Sequence, residues 1–365
     1  MPASAPRRRR ADLDNPRSYQ ALDPGGMLQM AVDFPAQLEH AARIGEGFRP
    51  PAALRGPSAI VLSGMGGSAA AGDLLSRLCE DRLPVPFLVN RSYQIPGFVG
   101  PDTLFLASSH SGNTEETLAA TSAALRRRAR VVCITTGGKL ALLARRRSLP
   151  LIEIPQTDPP MPPRASLGYS FLPLVFLLQS LGLYPGLARQ SQEAVKLARK
   201  LRDQVGPDVP ARRNRAKRLA LDLHGRIPWV QGTPGIMSAA AYRWRCQFNE
   251  NSKVLAHSSE YPELNHNEVV GWEVSPRLAR HISVVVLQQP AAQARLLARV
   301  QITTEMVGRK APVHLIQADG KSPLAQLIWT VYLADFVSIY LGFLNGADPS
   351  AIAAINELKS RLARL

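Results

Sequence analysis

The chain has 365 residues, of which 45% are hydrophobic and 20% are charged, so it can form two globular domains and is too apolar for a disordered chain. Its formal net charge of +16 would suit nucleic acid, an anionic surface or an acidic small substrate. The excess is mostly arginine on predicted helix faces, without the aromatic platforms or zinc-ligand spacings of nucleic-acid-binding modules, so nucleic acid is not an expected partner.

The N-terminus and the cysteines give the expected compartment. The basic run Arg7–Arg10 is followed by polar residues instead of an apolar stretch, which is not the pattern of a secretory signal. The sequence has three cysteines, an odd number without CxxC spacing, at Cys79, Cys133 and Cys246. This pattern favours neither a disulfide framework nor a zinc site. We expect a cytoplasmic protein whose residues 1–20 form a basic flexible tail.

The first domain is predicted to span residues 21–183 and to begin with a helical arm. Met27–Ala42 has helical periodicity, interrupted at Phe34-Pro35. Short apolar runs then alternate with glycine-rich or polar turns and helices, which predicts a parallel sheet with helices on both faces and a ligand site at the carboxyl ends of its strands. The predicted strands are Ala59–Leu62, Pro86–Val89, Thr103–Ala107, Val131–Thr135 and Pro150–Ile154.

The second domain, residues 184–365, follows the proline-rich run Thr157–Arg164 and the apolar helix Ser166–Leu183. Its strand and helix pattern resembles the first half, which indicates an internal duplication of an α/β, doubly wound architecture with a site between the halves. The predicted strands are Ile227–Gln231, His281–Leu287 and Pro312–Ile316, and two closing helices are predicted at Pro323–Leu344 and Pro349–Leu365. Leu324–Leu344 contains several polar residues, so it is interpreted as a buried helix and not a membrane span.

Two turns of the first domain have the chemistry of a phosphate site. Ser63–Asp73, SGMGGSAAAGD, lies at a strand-to-helix turn where glycines let the backbone approach an anion, although it is neither GxGxxG nor a nucleotide P-loop. The next turn places the hydroxyls of Ser108, Ser109, Ser111 and Thr114 directly before a helix, which suits a phosphomonoester. An ordinary helix cap would explain one of these residues but not the cluster.

The polar stretch Phe248–Trp272 concentrates acid–base residues in an otherwise Ala/Leu/Arg-rich chain. Glu250 and His266 lie on either side of Pro262, so a loop must bring them together if they act as a pair. The alternative is structural, with NEN ending a helix and ELNHNE forming a solvated turn.

These motifs carry a family resemblance. SHSGNTEET at 109–117 is similar to the phosphosugar-binding signature of sugar isomerase (SIS) domains, with His110 where tyrosine is usual. Together with five further motifs, the chain resembles the bifunctional phosphoglucose/phosphomannose isomerase family from about Leu13 onward. The further motifs are GMGGS at 64–68, PPRASLGY at 162–169, the pair YRWRCQFNENSK at 242–253 and PELNHNEVVGW at 262–272, and DPSAIAAINELK at 348–359.

The resemblance implies two SIS-type domains that interconvert glucose 6-phosphate and fructose 6-phosphate, and also mannose 6-phosphate and fructose 6-phosphate, through a cis-enediol. No metal or redox cofactor is implied. Glu250 would move the proton, His266 and Lys359 would assist ring opening, and Arg164 would stabilise the enediolate. The phosphate would be held by Gly67, Ser68, Ser109, Ser111 and Thr114. A homodimer is implied, with His266 contributed across the interface.

Each assignment has a structural alternative. Glu250 and Arg164 could form an ion pair, His257 could replace His266 as the working histidine, and Lys359 could be a solvated helix residue. Glu263 and Glu268 flank His266 and are candidates for orienting it, without a catalytic assignment.

Other functions fit the sequence less well. A non-catalytic phosphosugar-binding regulator would keep the hydroxyl-rich turn but would have little use for four catalytic candidates, and no helix-turn-helix is appended. An amidotransferase of the SIS type would need an N-terminal cysteine to release ammonia from glutamine, and this sequence has none there.

Overall fold

The structure is a computed structural model that describes residues 11–158, 160–273, 276–362 and 364. Within these residues the strands are β1 Ala59–Ser63, β2 Phe87–Asn90, β3 Thr103–Ser108, β4 Arg130–Thr135, β5 Leu151–Glu153, β6 Ile227–Gly232, β7 His257–Glu260, β8 Ile282–Gln288 and β9 Val313–Gln317. The helices are α1 Met27–Val32, α2 Phe34–Gly47, α3 Gly66–Cys79, α4 Glu115–Arg126, α5 Gly138–Arg146, α6 Leu167–Ser180, α7 Leu187–Val205, α8 Arg215–Leu223, α9 Ile236–Gln247, α10 Glu268–Gly271, α11 Pro276–Ala279, α12 Ala294–Gly308, α13 Pro323–Leu344 and α14 Ala353–Leu362.

The chain divides into two compact units. Unit 1 comprises, within the described residues, Met1–Val32, Arg199–Ala318 and Trp329–Leu365, and unit 2 comprises Asp33–Ala198 and Asp319–Ile328.

Unit 2 contains a parallel sheet of five strands in the order β2-β1-β3-β4-β5. Every residue of β1 and β3 is buried, as continuous apolar runs predict for parallel strands covered by helices on both faces. The turns after β1 and β3 lie at the point where the strand order reverses, which is where doubly wound sheets bind ligands.

Unit 1 contains a parallel sheet of four strands in the order β7-β6-β8-β9. This order repeats β2-β1-β3-β4 of unit 2, so the predicted class, two doubly wound α/β domains, is confirmed. The sequence did not predict β7, because its residues HSSE are polar and the strand pairs only with β6 at the sheet edge.

The limits of the units differ from the expected domains 21–183 and 184–365. Residues 319–328 join unit 2 because Glu193 of α7 accepts hydrogen bonds from the backbone N–H groups of Lys321, at 2.6 Å, and Ser322, at 3.2 Å. The helix break at Phe34-Pro35 is confirmed, since Pro35 occupies the first turn of α2, where a missing N–H costs nothing. Helix α1 belongs to unit 1 and α2 to unit 2.

The expected flexible tail, residues 1–20, is not flexible over its described part, residues 11–20. The run Arg7–Arg10 lies outside the described residues, whereas residues 11–20 are packed in unit 1. Leu13 and Tyr19 are each 3% exposed, and the Tyr19 ring stacks on Phe343 with centroids 4.5 Å apart. Apolar burial therefore outweighs the polar composition of this segment.

Helix α13 is, within the described residues, the one helix long and apolar enough to cross a membrane, and 94% of its most hydrophobic window is buried. Polar residues of this helix are hydrogen-bonded within each unit, for example Ser338 to Asn251 in unit 1 and Gln326 to the Gly320 carbonyl in unit 2. This burial is that of a core helix, as the sequence predicts.

Candidate active site

The glycine loop, Gly64–Ser68, connects β1 to α3 in unit 2. A Cβ atom on Gly67 would lie 2.7 Å from the Pro163 carbonyl oxygen, so only glycine lets these two backbones approach. Ser68 is 4% exposed, and its Oγ accepts a hydrogen bond of 3.2 Å from the backbone N–H of His110. The glycine loop is thereby joined to the turn after β3.

The phosphate loop, Ser109–Thr114, follows β3 and leads into α4. Ser109 Oγ donates to Thr114 Oγ1 at 2.9 Å, and Ser111 is exposed. The free N–H groups at the start of a 12-residue helix add to these hydroxyls. Serine and threonine side chains and helix N–H groups together make a site that suits a phosphate monoester.

Ser108, at the end of β3, is a further candidate that the assignments from sequence omitted. Its side chain is 1% exposed, and its Oγ has no hydrogen-bond partner among the described residues. A buried hydroxyl without a partner is unfavourable unless it serves a ligand or water.

The arginine loop, Met161–Ser166, brings Arg164 to the glycine loop. The Pro163 carbonyl is the group that approaches Gly67, and the Arg164 backbone nitrogen is 3.3 Å from the Cβ position of that glycine. Arg164 is 3% exposed, so its charge is shielded from bulk water. Unit 2 therefore brings together all five predicted phosphate ligands and Arg164.

Glu250 lies in unit 1 on a π-helical turn, Phe248–Ser252, that directly continues α9. Such turns are uncommon and often occur at functional sites. Glu250 is half-buried, whereas its neighbours Asn251 and Ser252 are fully buried. The neighbours therefore fix the turn and leave the carboxylate partly accessible.

Helix α13 holds the π-helical turn in place. Asn251 Nδ2 donates to Ser338 Oγ at 2.9 Å, and Ser252 Oγ donates to the Ser338 carbonyl at 2.7 Å. A Cβ on Gly342 would lie 2.6 Å from the Asn251 carbonyl oxygen, so this glycine lets the helix and the turn approach. Asn251 and Ser252 thus have a structural role that the sequence alone does not reveal.

The same region of unit 1 contains a buried polar cluster one turn before Glu250. Gln247 Nε2 donates to Asp335 Oδ1, and Arg243 Nη2 lies 3.8 Å from that oxygen. Burial raises the pKa of Asp335 to about 6, and the Arg243 charge and the Gln247 hydrogen bond oppose this only in part. These contacts anchor the end of α9.

His266 and Lys359 lie on other elements of unit 1. His266 ends a 3-10 turn, Glu263–His266, and is exposed. Lys359 lies on α14, the second of the two predicted closing helices, which buries none of its described residues in the single chain. The catalytic roles of Glu250, His266, Lys359 and Arg164 stay predictions.

Glu268 contacts His257, not His266, among the described contacts. Its Oε1 accepts hydrogen bonds from Trp229 Nε1 at 2.8 Å and Gln231 Nε2 at 2.9 Å, and its Oε2 lies 3.7 Å from His257 Nε2. The His257 ring also lies against Trp229, with centroids 4.2 Å apart. This cluster joins β6, β7 and α10, which favours a structural role for His257.

An exposed groove of about 340 Å³ lies beside the turn that carries His266. Its apolar floor includes Ile302 and Met306, which are 57% and 49% exposed, and Arg295 and Arg299 supply positive charge. Apolar side chains left this exposed on a surface commonly mark a binding face.

A larger cavity, of about 560 Å³, lies in unit 2 at the carboxyl ends of β4 and β5. Its lining includes Arg145 and Glu153, which form an ion pair with each other. The positive charge there is already compensated, so this cavity is a weaker anion site than the loops after β1 and β3.

Comparisons with known proteins agree with this geometry. The model of the bacterial phospho-glucose isomerase C-terminal SIS domain matches residues 212–362. A bifunctional phosphoglucose/phosphomannose isomerase of Caldicellulosiruptor bescii is 38% identical over 340 residues, which cover 93% of this chain and 99% of the relative. The enzyme of the same name from Aquifex aeolicus is 33% identical and covers 84% of this chain and 90% of its own length.

A solved structure of a glucose-6-phosphate isomerase-like protein from Thermus thermophilus has the same fold. Its TM-score is 0.64 at 22% identity, and the match covers 94% of this chain and 99% of that one. The match to the relative from C. bescii covers 93% of the chain and therefore extends over both units. The chain therefore belongs to the bifunctional phosphoglucose/phosphomannose isomerase family and is a phosphosugar isomerase.

Proposed function

We propose that the protein interconverts glucose 6-phosphate and fructose 6-phosphate, and mannose 6-phosphate and fructose 6-phosphate, through a cis-enediol. The observation that carries this proposal is the meeting of the glycine, phosphate and arginine loops, in which the backbone of the buried Arg164 lies beside the glycine loop of a hydroxyl-rich candidate anion site. The names of the relatives from C. bescii and A. aeolicus support the choice of sugars.

In this proposal, the phosphate group anchors a substrate whose other end reacts. Gly67 lets the backbone approach the phosphate, and Ser68 offers its hydroxyl. The phosphate loop adds the hydroxyls of Ser109, Ser111 and Thr114. Holding a non-reacting group in this way lets binding energy orient the carbons that exchange the proton.

Glu250 is the proposed proton carrier. Its carboxylate removes the proton from C2 of the open-chain aldose, while O1 gains a proton and the C1–C2 bond becomes the double bond of the enediol. The carboxylic acid then returns the proton to C1, and O2 loses its proton as the C2 ketone forms. A half-buried carboxylate on a fixed turn suits this exchange, because the same group must be base and then acid.

Arg164 is proposed to stabilise the negative charge that develops on the enediolate oxygens. A guanidinium shielded from bulk water acts more strongly on a nearby charge than one on the surface. His266 and Lys359 are proposed to transfer protons at the ring oxygen, so that the hexose opens before the carbon chemistry and closes after it.

One enediol can serve both aldoses. Glucose and mannose 6-phosphates differ only in configuration at C2, and the enediol is planar there. If the intermediate rotates about C2–C3 before it is reprotonated, Glu250 can produce either epimer without a second base.

We also propose a homodimer in which His266 acts in the active site of the partner copy. The exposure of His266 and of the apolar groove beside its turn supports this, because an exposed apolar face next to a candidate catalytic residue suits a subunit contact. A second copy that covers the groove would bury Ile302 and Met306.

The proposal is tested by turnover of the wild type and of Glu250→Gln on fructose, glucose and mannose 6-phosphates. Glutamine keeps the shape of the side chain but cannot carry the proton, so kcat should fall by about 10²-fold or more. Glu305→Gln is the matched control, since Glu305 is an exposed carboxylate on α12 that bonds to Gln301.

Thermal unfolding of each variant shows whether the fold survives. Wild-type activity on both aldoses that collapses only in a folded Glu250→Gln variant supports the proposal. A wild type that binds hexose phosphates without converting them would overturn it.

A further inference from the structure

His110 contacts the arginine loop on both sides of Arg164. Its Nε2 lies 3.1 Å from the Met161 carbonyl oxygen, and its Nδ1 lies 3.1 Å from Ser166 Oγ. Met161 precedes Arg164 by three residues and Ser166 follows it by two. The His110 side chain of the phosphate loop therefore bonds to the first and the last residue of the arginine loop.

The chemistry of these partners fixes the state of the ring. A carbonyl oxygen only accepts, so Nε2 must carry the hydrogen, and in a neutral ring Nδ1 then accepts from the Ser166 hydroxyl. That hydroxyl also lies 3.0 Å from the Pro163 carbonyl, its alternative acceptor when the ring is protonated. Burial lowers the pKa of His110, opposed in part by the bond to Met161, so the neutral ring is favoured.

The arginine loop also has contacts with α2 and with the glycine loop. Gln37 of α2 is 5% exposed, donates to the Ala165 carbonyl at 2.9 Å and accepts from the Gly168 N–H at 2.7 Å. The Gly67 backbone meets Pro163. Two of these three contacts, through His110 and through Gly67, come from loops that are proposed to bind the phosphate, and of these two His110 supplies the contact made by a side chain.

The backbone of His110 is also fixed at the junction of the loops. Its N–H donates to Ser68 Oγ at 3.2 Å, and its carbonyl accepts from Thr136 Oγ1 at 2.7 Å. A displacement of the phosphate loop is therefore transmitted to the imidazole and from there to the arginine loop.

We propose that His110 is a positioning residue that couples the phosphate loop to Arg164, so that a bound phosphate sets the place of the guanidinium at the reacting carbons. This inference rests on the proposed function, in which Arg164 stabilises the enediolate. It predicts that the effect of His110 on turnover passes through Arg164.

The test compares His110→Phe and His110→Gln in the wild-type background and His110→Phe in an Arg164→Ala background. Phenylalanine keeps a ring but removes both hydrogen bonds, whereas glutamine can still donate to the Met161 carbonyl. His40→Phe is the matched control, because His40 is also half-buried in unit 2 but bonds to the Tyr169 hydroxyl, which is outside the arginine loop. The measurements are kcat and KM for fructose 6-phosphate and the inhibition constant of inorganic phosphate.

We expect His110→Phe to lower kcat by about tenfold or more, since small misplacements of a catalytic group are costly, with KM and the phosphate inhibition constant within about threefold. His110→Gln should recover most of the loss, and His40→Phe should retain wild-type kcat. In the Arg164→Ala background, His110→Phe should change kcat by less than about twofold, because the group it positions is gone.

Three results would overturn the coupling. They are an unchanged kcat in folded His110→Phe, effects of His110 and Arg164 that multiply independently, and a phosphate inhibition constant that rises as much as kcat falls. If His110→Phe does not fold, Ser166→Ala, which removes only the Nδ1 partner, is combined with Arg164→Ala and judged by the same criterion.

The two proposals fail in different ways. A wild type without hexose phosphate turnover overturns the proposed function. An active wild type in which His110 and Arg164 act independently overturns the coupling alone.

Discussion

Ser338 shows at the scale of one residue how a catalytic candidate can depend on a side chain remote in sequence. Its hydroxyl and its carbonyl oxygen bind Asn251 and Ser252, the two residues that follow Glu250. The position of the proposed base is therefore determined partly by α13. No spacing rule connects residue 338 to residue 250, so the sequence alone could not assign this role.

We predict that Ser338→Ala lowers both stability and turnover. Removing a buried hydroxyl takes one partner from the Asn251 amide, which should lower the free energy of unfolding by about 1–3 kcal/mol. The loosened turn should reduce kcat by about tenfold. Urea unfolding and steady-state kinetics measure the two effects.

Ser122→Ala is the control for that variant, because Ser122 is exposed and bonds within its own helix. It should change neither quantity. A Ser338→Ala protein that is less stable but fully active would show that the hydroxyl supports the core without orienting Glu250.

The pH dependence of stability should reveal the neutral imidazole of His110. Burial lowers its pKa in the folded protein, with the Met161 hydrogen bond opposing in part, so the unfolded chain binds a proton at a higher pH than the folded chain does. The stability that His110 contributes is present above its unfolded pKa and is lost as the pH falls through the folded pKa.

The measurement is the urea midpoint of wild type and His110→Gln at about pH 8 and about pH 5.5. Acidification should cost the wild type more stability than the variant. His314 and Asp335, whose pKa values are also shifted, are common to both proteins and cancel in the comparison. Equal losses in the two proteins would contradict a buried neutral His110.

At the scale of elements, the apolar strands were the most predictable features. Continuous apolar runs such as β1 and β3 are typical of the inner strands of a parallel sheet, which are buried on both faces. The glycine-rich and hydroxyl-rich turns after them mark the carboxyl edge of the sheet. Strand β7 and the π-helical turn were not predictable, because the first is a polar edge strand and the second has no sequence signature. The contact of Gly67 with Pro163 joins segments far apart in sequence, so no local pattern contains it.

The close approach of the glycine and arginine loops leads to a prediction for Gly67→Ala. The added methyl would meet the Pro163 carbonyl at 2.7 Å, and that atom is backbone and cannot rotate away. We expect the arginine loop to shift and kcat/KM to fall by about tenfold or more, with a smaller change in the thermal midpoint.

Gly47→Ala is the matched control, since Gly47 lies at the end of α2 with nothing described within 4 Å of its Cβ position. It should be as active as the wild type. Gly67→Ala with normal kinetics would show that the loops can separate without cost.

At the scale of the molecule, part of the high positive charge is paired with carboxylates inside each unit. In unit 2, Arg130 bonds to Asp102 and Arg145 to Glu153. In unit 1, the buried Lys217 lies 3.3 Å from Asp14. These pairs support the interpretation of the basic clusters as parts of ordinary helix faces and loop contacts.

The proposed dimer predicts complementation between two inactive variants. If His266 acts across the interface, mixing Glu250→Gln with His266→Ala creates dimers in which one of the two sites has both wild-type residues. Random assembly makes about half of the dimers mixed, so activity should recover to about a quarter of the wild-type value.

The experiment uses subunits that carry two different tags, refolded together and separately. Activity only after joint refolding supports a shared site. If both residues act in the same chain, the mixture will stay inactive, and the exposed groove beside His266 will need another explanation.

The repeated strand order also bears on how the enzyme could have evolved. Unit 2 carries the hydroxyl-rich loop after β3, whereas the matching segment of unit 1 after β8 reads QPAAQ at 289–293 and has no hydroxyl. On the proposed function, unit 2 binds the phosphate and supplies Arg164, and unit 1 supplies the proton-transfer residues Glu250, His266 and Lys359. Substitutions in unit 1 could then change which sugar is converted while the phosphate site of unit 2 is kept. A mutant library confined to unit 1 is therefore a direct way to search for an enzyme that acts on a new sugar phosphate.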